Sequence, residues 1–179
     1  MARGLTIFGA VLLLAPLAAI SSGEPTAEEY RVKAAFLYNF VRFVEWPSTT
    51  FRNQHDPFVI CVLAADPFDS AVKETFAGKQ IEGRAFRILR ISDAGQADPC
   101  QIVFMGSSEP KKTAAILATL PAAGVLTVGE TDGFAAAGGI INFTVVQGRV
   151  RFQVNTRAAQ RARLQISSRL LSLAQIVDR

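Results

Sequence analysis

The chain has 179 residues, half of them hydrophobic and 19% charged, and its 19 basic and 15 acidic side chains give a formal net charge of +4. That length suits one domain with a proper core, and a mild excess of scattered basic residues does not argue for nucleic-acid binding. One histidine, His55, and two cysteines 39 positions apart, Cys61 and Cys100, do not supply the three or four close ligands that zinc requires.

The chain opens Met1-Ala2-Arg3-Gly4, followed by an apolar run from Leu5 to Ile20 that Thr6, Gly9 and Pro16 interrupt, and then by Ser21, Ser22 and Gly23. A positive charge, a short apolar stretch and small residues form the three-part pattern of a secretory signal peptide, expected over residues 1–23. Ala19 and Ser21, or Ser21 and Gly23, fit the small-residue positions of the cleavage site. An uncleaved anchor is the other reading, but the uninterrupted apolar core is short and Pro16 would kink a spanning helix. Cleavage after Gly23 leaves 156 residues with a net charge of +3, expected to form one exported domain over residues 24–179. In that compartment a cysteine pair is read first as a disulfide. A buried free thiol is the alternative, because Cys61 lies inside the apolar run Phe58–Leu63.

From about Ala27 the pattern is helical, and from Ala34 it is nearly all apolar, with Arg31, Asn39, Arg42 and Glu45 on one face and Lys33 off it; Pro47 is expected to end this helix. A strand follows at Phe58–Leu63. Asp66 then caps a helix that has Pro67 in its first position and runs to about Phe76, and Gly78 stops it. Further strands are expected near Arg84–Ile91 and Gln101–Met105. Ser107-Ser108-Glu109-Pro110 begins a helix through Leu120, and Val125–Val128 is the next strand. Alternating strands and helices indicate an α/β sheet.

The last third changes character. Ile140–Val146 and Arg149–Asn155 flank Gln147-Gly148, a two-residue hairpin turn. Opposed residues then have numbers summing to 295, which pairs Ile141 with Val154, Phe143 with Phe152 and Val145 with Val150 on one apolar face. The second face pairs Asn142 with Gln153, Thr144 with Arg151, and Val146 with Arg149. A one-residue slip would mix the two faces, so the pattern itself supports the register. A long helix is expected from Thr156 to Val177, docking through Ala159, Ala162, Ile166, Leu170, Leu173 and Val177. Leu164 and Leu171 would lie on its opposite side, either as incidental exposed leucines or as an interface. The expected fold class is therefore α/β: a single three-layer domain with a mixed β-sheet, helices on both faces, and a C-terminal hairpin plus long helix.

Catalytic chemistry is sparsely provided. His55 lies in a polar loop with no nucleophile elbow to serve. Ser107-Ser108 reads as a helix cap, and Gly129, Gly133, Gly138 and Gly139 do not fit a dinucleotide fingerprint. Asp66, Asp69 and Glu74 are better explained as caps and dipole partners than as a carboxylate site. The residues point away from an enzyme and call for no metal or cofactor.

Several segments together resemble one family. These are Ala34-Ala35-Phe36-Leu37-Tyr38-Asn39-Phe40 through Phe43-Val44-Glu45-Trp46-Pro47, Ala65-Asp66-Pro67-Phe68, Cys100 ahead of Ile102-Val103-Phe104, and Ser107-Ser108-Glu109. They continue with Leu126-Thr127-Val128-Gly129-Glu130, Gly138-Gly139-Ile140-Ile141-Asn142-Phe143, Arg149–Asn155 and Ile166–Ala174. In this order, over nearly the whole mature chain, they are similar to the YfiR family. The resemblance implies a periplasmic regulator that restrains a membrane-bound diguanylate cyclase through the cyclase's periplasmic sensor region and so keeps cyclic-di-GMP low. It also implies an outer-membrane OmpA-like lipoprotein as a sequestering partner, a homodimer, and redox-linked cysteines. Some members carry a second cysteine pair near the Gly-Gly-Ile-Ile segment that this chain lacks. Gln101 and Arg163 stand where relatives often have His and Gly. The expected partner-binding residues are Asn142, Thr144, Arg149, Arg151 and Gln153 on the polar hairpin face, with Leu164 and Leu171 on the helix. A periplasmic sensor binding a small molecule in a sheet-edge cleft is the alternative reading.

Overall fold

The computed structural model describes residues 25–63, 68–106 and 110–177. The expected signal peptide and the caps expected at Asp66-Pro67 and Ser107-Ser108 fall outside those residues. Helix α1 (Ala27–Phe43) begins where expected: the Thr26 hydroxyl accepts from the Glu29 N–H, and Glu28 and Glu29 sit in its positive first turn. It ends one turn before Pro47. Val44–Glu45 peels off as strand β1 and pairs antiparallel with β9 (Gln165–Ile166), so a long-range pairing, rather than the proline, sets the helix end.

The main sheet is built on β2 (Phe58–Leu63), β4 (Arg84–Ile91), β5 (Ile102–Met105), β6 (Leu126–Gly129) and β7 (Ile141–Val146), all parallel. Their spatial order is β4-β2-β5-β6-β7. Every residue of β2, β5 and β6 is buried, as continuous apolar runs in a doubly covered parallel sheet should be. Antiparallel strands extend both edges: β3 (Gln80–Ile81) beside β4, and β8 (Arg149–Val154) beside β7. Beyond β8, β10 (Gln175–Ile176) pairs parallel to it and forms the outermost strand.

The sheet separates two cores. On one face α1 and α2 (Phe68–Phe76) cover Ile60, Phe104, Val128, Phe143 and Phe152, with the Phe40 ring 5.6 Å from Phe143 and 5.1 Å from Phe152. Each fully buried phenylalanine contributes roughly 1.5–3 kcal/mol. On the other face α3 (Pro110–Thr119) lies over Cys61, Val103, Met105 and Phe134. The fold is thus a three-layer α/β domain with a mixed sheet.

The connection from β6 to β7 is fixed by Phe134, which rests against Gly129 and Gly139 so closely that a Cβ at either position would overlap its ring. Buried Asn155 ties the same region together: its side-chain NH2 donates to the Ala135 carbonyl, and its side-chain oxygen accepts from the Ala158 N–H, each at 2.8 Å. The hairpin register is the one read from the sequence at all six pairs. Gln147 and Gly148 both take positive φ, 50° and 70°, as a type I′ turn demands.

The long C-terminal helix is replaced by shorter elements. Helix α4 (Thr156–Arg161) stops because Arg163 adopts φ 57°; its N–H bonds to the Gln160 carbonyl while Leu164 N–H bonds to the Ala159 carbonyl, both at 2.9 Å. That pair of bonds is a Schellman closure, and it turns Leu164 inward. Strand β9, helix α5 (Ser168–Leu171) and β10 then follow. The apolar spacing from Ala159 to Val177 is helical, but pairing with residues 44–45 and 153–154 outweighs that local preference.

Candidate partner-binding surface

Strand alternation puts Thr144, Val146, Arg149, Arg151 and Gln153 on the hairpin face opposite Phe143 and Phe152. Arg149, Arg151 and Val146 are exposed, and Thr144 and Gln153 are half-buried. Amide side chains bridge the strands. The Asn142 NH2 approaches the Gln153 oxygen at 3.4 Å, and the Gln153 NH2 approaches the Gln175 oxygen at 3.3 Å. This ladder ties β10 to the hairpin and leaves the arginines at its open end. Asn142 itself is buried, and its side-chain amide oxygen is unpartnered among the described residues.

The two leucines do not share a helix face with each other. Leu164 is only 3% exposed and packs in the α1 core, while Leu171 is half-buried against the same core. Both follow from the Schellman turn that ends α4. The expected pairing of these side chains on one exposed surface is therefore corrected.

Cys61 and Cys100 are joined, with Cα atoms 5.8 Å apart, and both are essentially inaccessible. The bond links the middle of β2 to a position two residues ahead of β5. Gln101 extends that join. Its side-chain oxygen accepts from the Val59 N–H at 2.7 Å, and its own N–H donates to the Val59 carbonyl at 2.9 Å. Its carbonyl receives the Leu126 N–H and, at 3.4 Å, the Trp46 indole N–H.

Two charge clusters were not foreseen. Lys33, 2% exposed, places its ammonium 2.5 Å from Glu29 and 2.6 Å from Glu130. Its position off the polar strip of α1 was the available signal; Glu130, just past β6, gave none. Asp69 is also buried, and one of its oxygens accepts from Lys73 (2.9 Å) and Arg90 (2.8 Å). Burial alone would raise its pKa, but these two cations outweigh burial and hold it below the usual carboxylate value. In the 51–57 loop, the Asn53 N–H, joined by the Arg52 N–H and the Asn53 amide, lowers the Asp56 pKa against an opposing desolvation. His55 is exposed there, its N–H donating to the Asn53 side chain. Among the described residues no group of three or more His, Cys, Asp or Glu is placed to hold a metal ion, and no helix is long and apolar enough to cross a membrane.

A cleft of about 690 Å³ lies beside the C-terminal end of α1, with Trp46, Phe51 and Phe58 in its wall and Arg42, Glu45, Glu82 and Arg84 around it. The Arg84 guanidinium stacks 3.9 Å above the Phe51 ring and donates to the carbonyls of Asn53 and Asp56. Much of its hydrogen-bonding capacity is thereby spent on holding the loop.

No curated protein matches the chain. A family match does, running from Tyr30 in α1 to Gln175 in β10 and so taking in the sheet, the disulfide and the hairpin. On that match over residues 30–175, the chain belongs to the YfiR/HmsC-like family.

Proposed function

We propose that this protein is a periplasmic regulatory binding protein that restrains a membrane-bound diguanylate cyclase through the cyclase's periplasmic sensor region and so lowers cyclic-di-GMP. Family membership supports the regulatory class, and a disulfide between buried cysteines is consistent with export. The observation that carries the assignment to a surface is the open hairpin face, where Arg149 and Arg151 stand exposed on a rigid, fully paired scaffold. By binding one conformation of the sensor region more tightly than the other, that face would shift a two-state equilibrium without any chemistry of its own. Asn142 would then act as support for Gln153, and Leu164 and Leu171 as packing beneath the edge. The family likeness also brings a homodimer and an OmpA-like lipoprotein as further partners, and residues 1–23 are the export signal removed before folding.

The decisive variant is Arg149→Glu/Arg151→Glu, made with the melting temperature confirmed unchanged. Cyclic-di-GMP should rise to the level of a deletion strain, and the membrane partner captured by the parent should be lost. Unchanged nucleotide levels in the deletion strain itself would sink the regulator reading, whereas repression unaffected by the variant would exclude this face alone. The cleft beside Trp46 favours a second reading, a small-molecule sensor. A saturable thermal shift with periplasmic extract, abolished by Trp46→Ala, would favour it.

A further inference from the structure

Charge is divided unevenly along this chain. Residues 25–148 hold eleven basic and thirteen acidic side chains, but residues 149–177 hold six arginines, no lysine and no acid. All six are exposed: Arg149, Arg151, Arg157, Arg161, Arg163 and Arg169. None takes part in an ion pair among the described residues, although α1, α2 and β4 pair their cations readily. Apolar exposure follows the same division. Of the five large hydrophobic side chains left exposed among the described residues, only Val32 lies outside the hairpin and C-terminal edge; Leu173 (69%) and Ile176 (43%) lie in or beside the outermost strand.

From this combination we infer that the α4–α5–β10 edge docks on an anionic phospholipid surface. Guanidinium groups bind phosphate oxygens bidentately and shed water more easily than ammonium groups. Arg157 and Arg161 are one helical turn apart on the side of α4 opposite buried Ala158 and Ala159, so they point out together. Arg169 on α5 continues the edge toward β10, whereas Arg163 lines a separate cavity beside Asp98 and Gly124 and Arg149 and Arg151 belong to the hairpin face. A spread of single-sign charges suits a field of headgroups better than one point anion. Leu173 and Ile176 would reach past the headgroups, as apolar side chains among cations do in interfacial binders. An acidic protein segment would satisfy the charge but leaves those two side chains unexplained. The inference is independent of the cyclase reading, because lipid vesicles contain no protein.

The test uses the mature chain and sedimentation with vesicles of phosphatidylglycerol mixed with phosphatidylcholine, and of phosphatidylcholine alone. Binding is expected only to the anionic vesicles, falling as salt rises from 0.05 to 0.5 M. At about five-fold per arginine, Arg157→Gln/Arg161→Gln/Arg169→Gln should lower partitioning by roughly a hundred-fold. Leu173→Ser should weaken it further without changing the salt dependence. Binding to both vesicle types alike, no binding to either, or an unaffected triple variant overturns the inference. So does retention on a polyglutamate column with no vesicle binding, which would assign the arginines to an acidic protein partner instead.

Discussion

Replacing Lys33 by Met separates two accounts of the α1 core. The Lys33 side chain is 3% exposed and Glu130 4%, with the ammonium 2.6 Å from one carboxylate oxygen. If apolar packing alone decided stability, Met at a buried site of a greasy helix would be neutral or better. The ion-pair account gives the opposite sign, because Glu130 loses the ammonium that neutralises it and keeps its burial. Breaking a buried pair from one side costs about 3–5 kcal/mol. Glu29, 20% exposed at the start of α1, can turn to water and adds little to that cost. For a chain of this size the loss corresponds to roughly 6–20 °C in melting temperature. The assay is urea unfolding of the parent, Lys33→Met, Glu130→Leu and the double variant, followed by circular dichroism. The double variant should recover to within about 1–2 kcal/mol of the parent, since an apolar pair can replace a buried ionic one at little cost. A Lys33→Met protein within about 1 kcal/mol of the parent would refute the ion-pair account.

Removing the cross-link with Cys61→Ala/Cys100→Ala should cost about 4 kcal/mol, given a 39-residue separation and the chain-entropy relation; equal midpoints for the parent with and without reductant would contradict this. Because both cysteines are buried, native protein should react with a thiol reagent only after reduction in denaturant. Arg163→Gly should stabilise by about 0.5–1 kcal/mol, since glycine relieves the left-handed φ of 57° but gains freedom when unfolded, whereas Arg163→Ala should give no gain. Asp69, with its pKa lowered in the fold, contributes stability that is present above about pH 4 and is lost as pH falls through the depressed folded value. Asp69→Asn should therefore be less stable than the parent at pH 7, the difference closing as pH falls through that depressed value; a gap that stays constant into acid would rule out the ionised carboxylate as its source.

What could be read in advance was what depends on periodicity within one segment. The β2 run, the β4 boundaries and all six hairpin pairs follow from alternation and one turn, and each residue's partner there is local or constrained by the face it must occupy. The ends of α1 and α4 were misread because their deciding partners are remote: Val44 pairs with Ile166, and Gln175 with Gln153. Arg163 concealed the break further, since its side chain gives no hint of a left-handed backbone. On the candidate surface, the exposed arginines were legible and the fate of Leu164 was not. A helical wheel places it outside, but the Schellman closure places it in the core. Lys33 lies between these cases, visible as an anomaly on its helix with Glu29 one turn away, while its buried partner Glu130 is brought to it only by the fold.

The ring of Phe134, seated on Gly129 and Gly139, gives the molecule a narrow tolerance at one seam. That seam joins the parallel half of the sheet to the hairpin half, and it admits only hydrogen at two positions 10 residues apart in sequence. Any larger residue must evict the ring, and with it the segment that carries Glu130 on one side and the Ala135 carbonyl held by Asn155 on the other. A mutational scan should therefore find two silent-looking glycines, remote from the arginine edge, whose replacement disables that edge by uncoupling it from the rest of the domain.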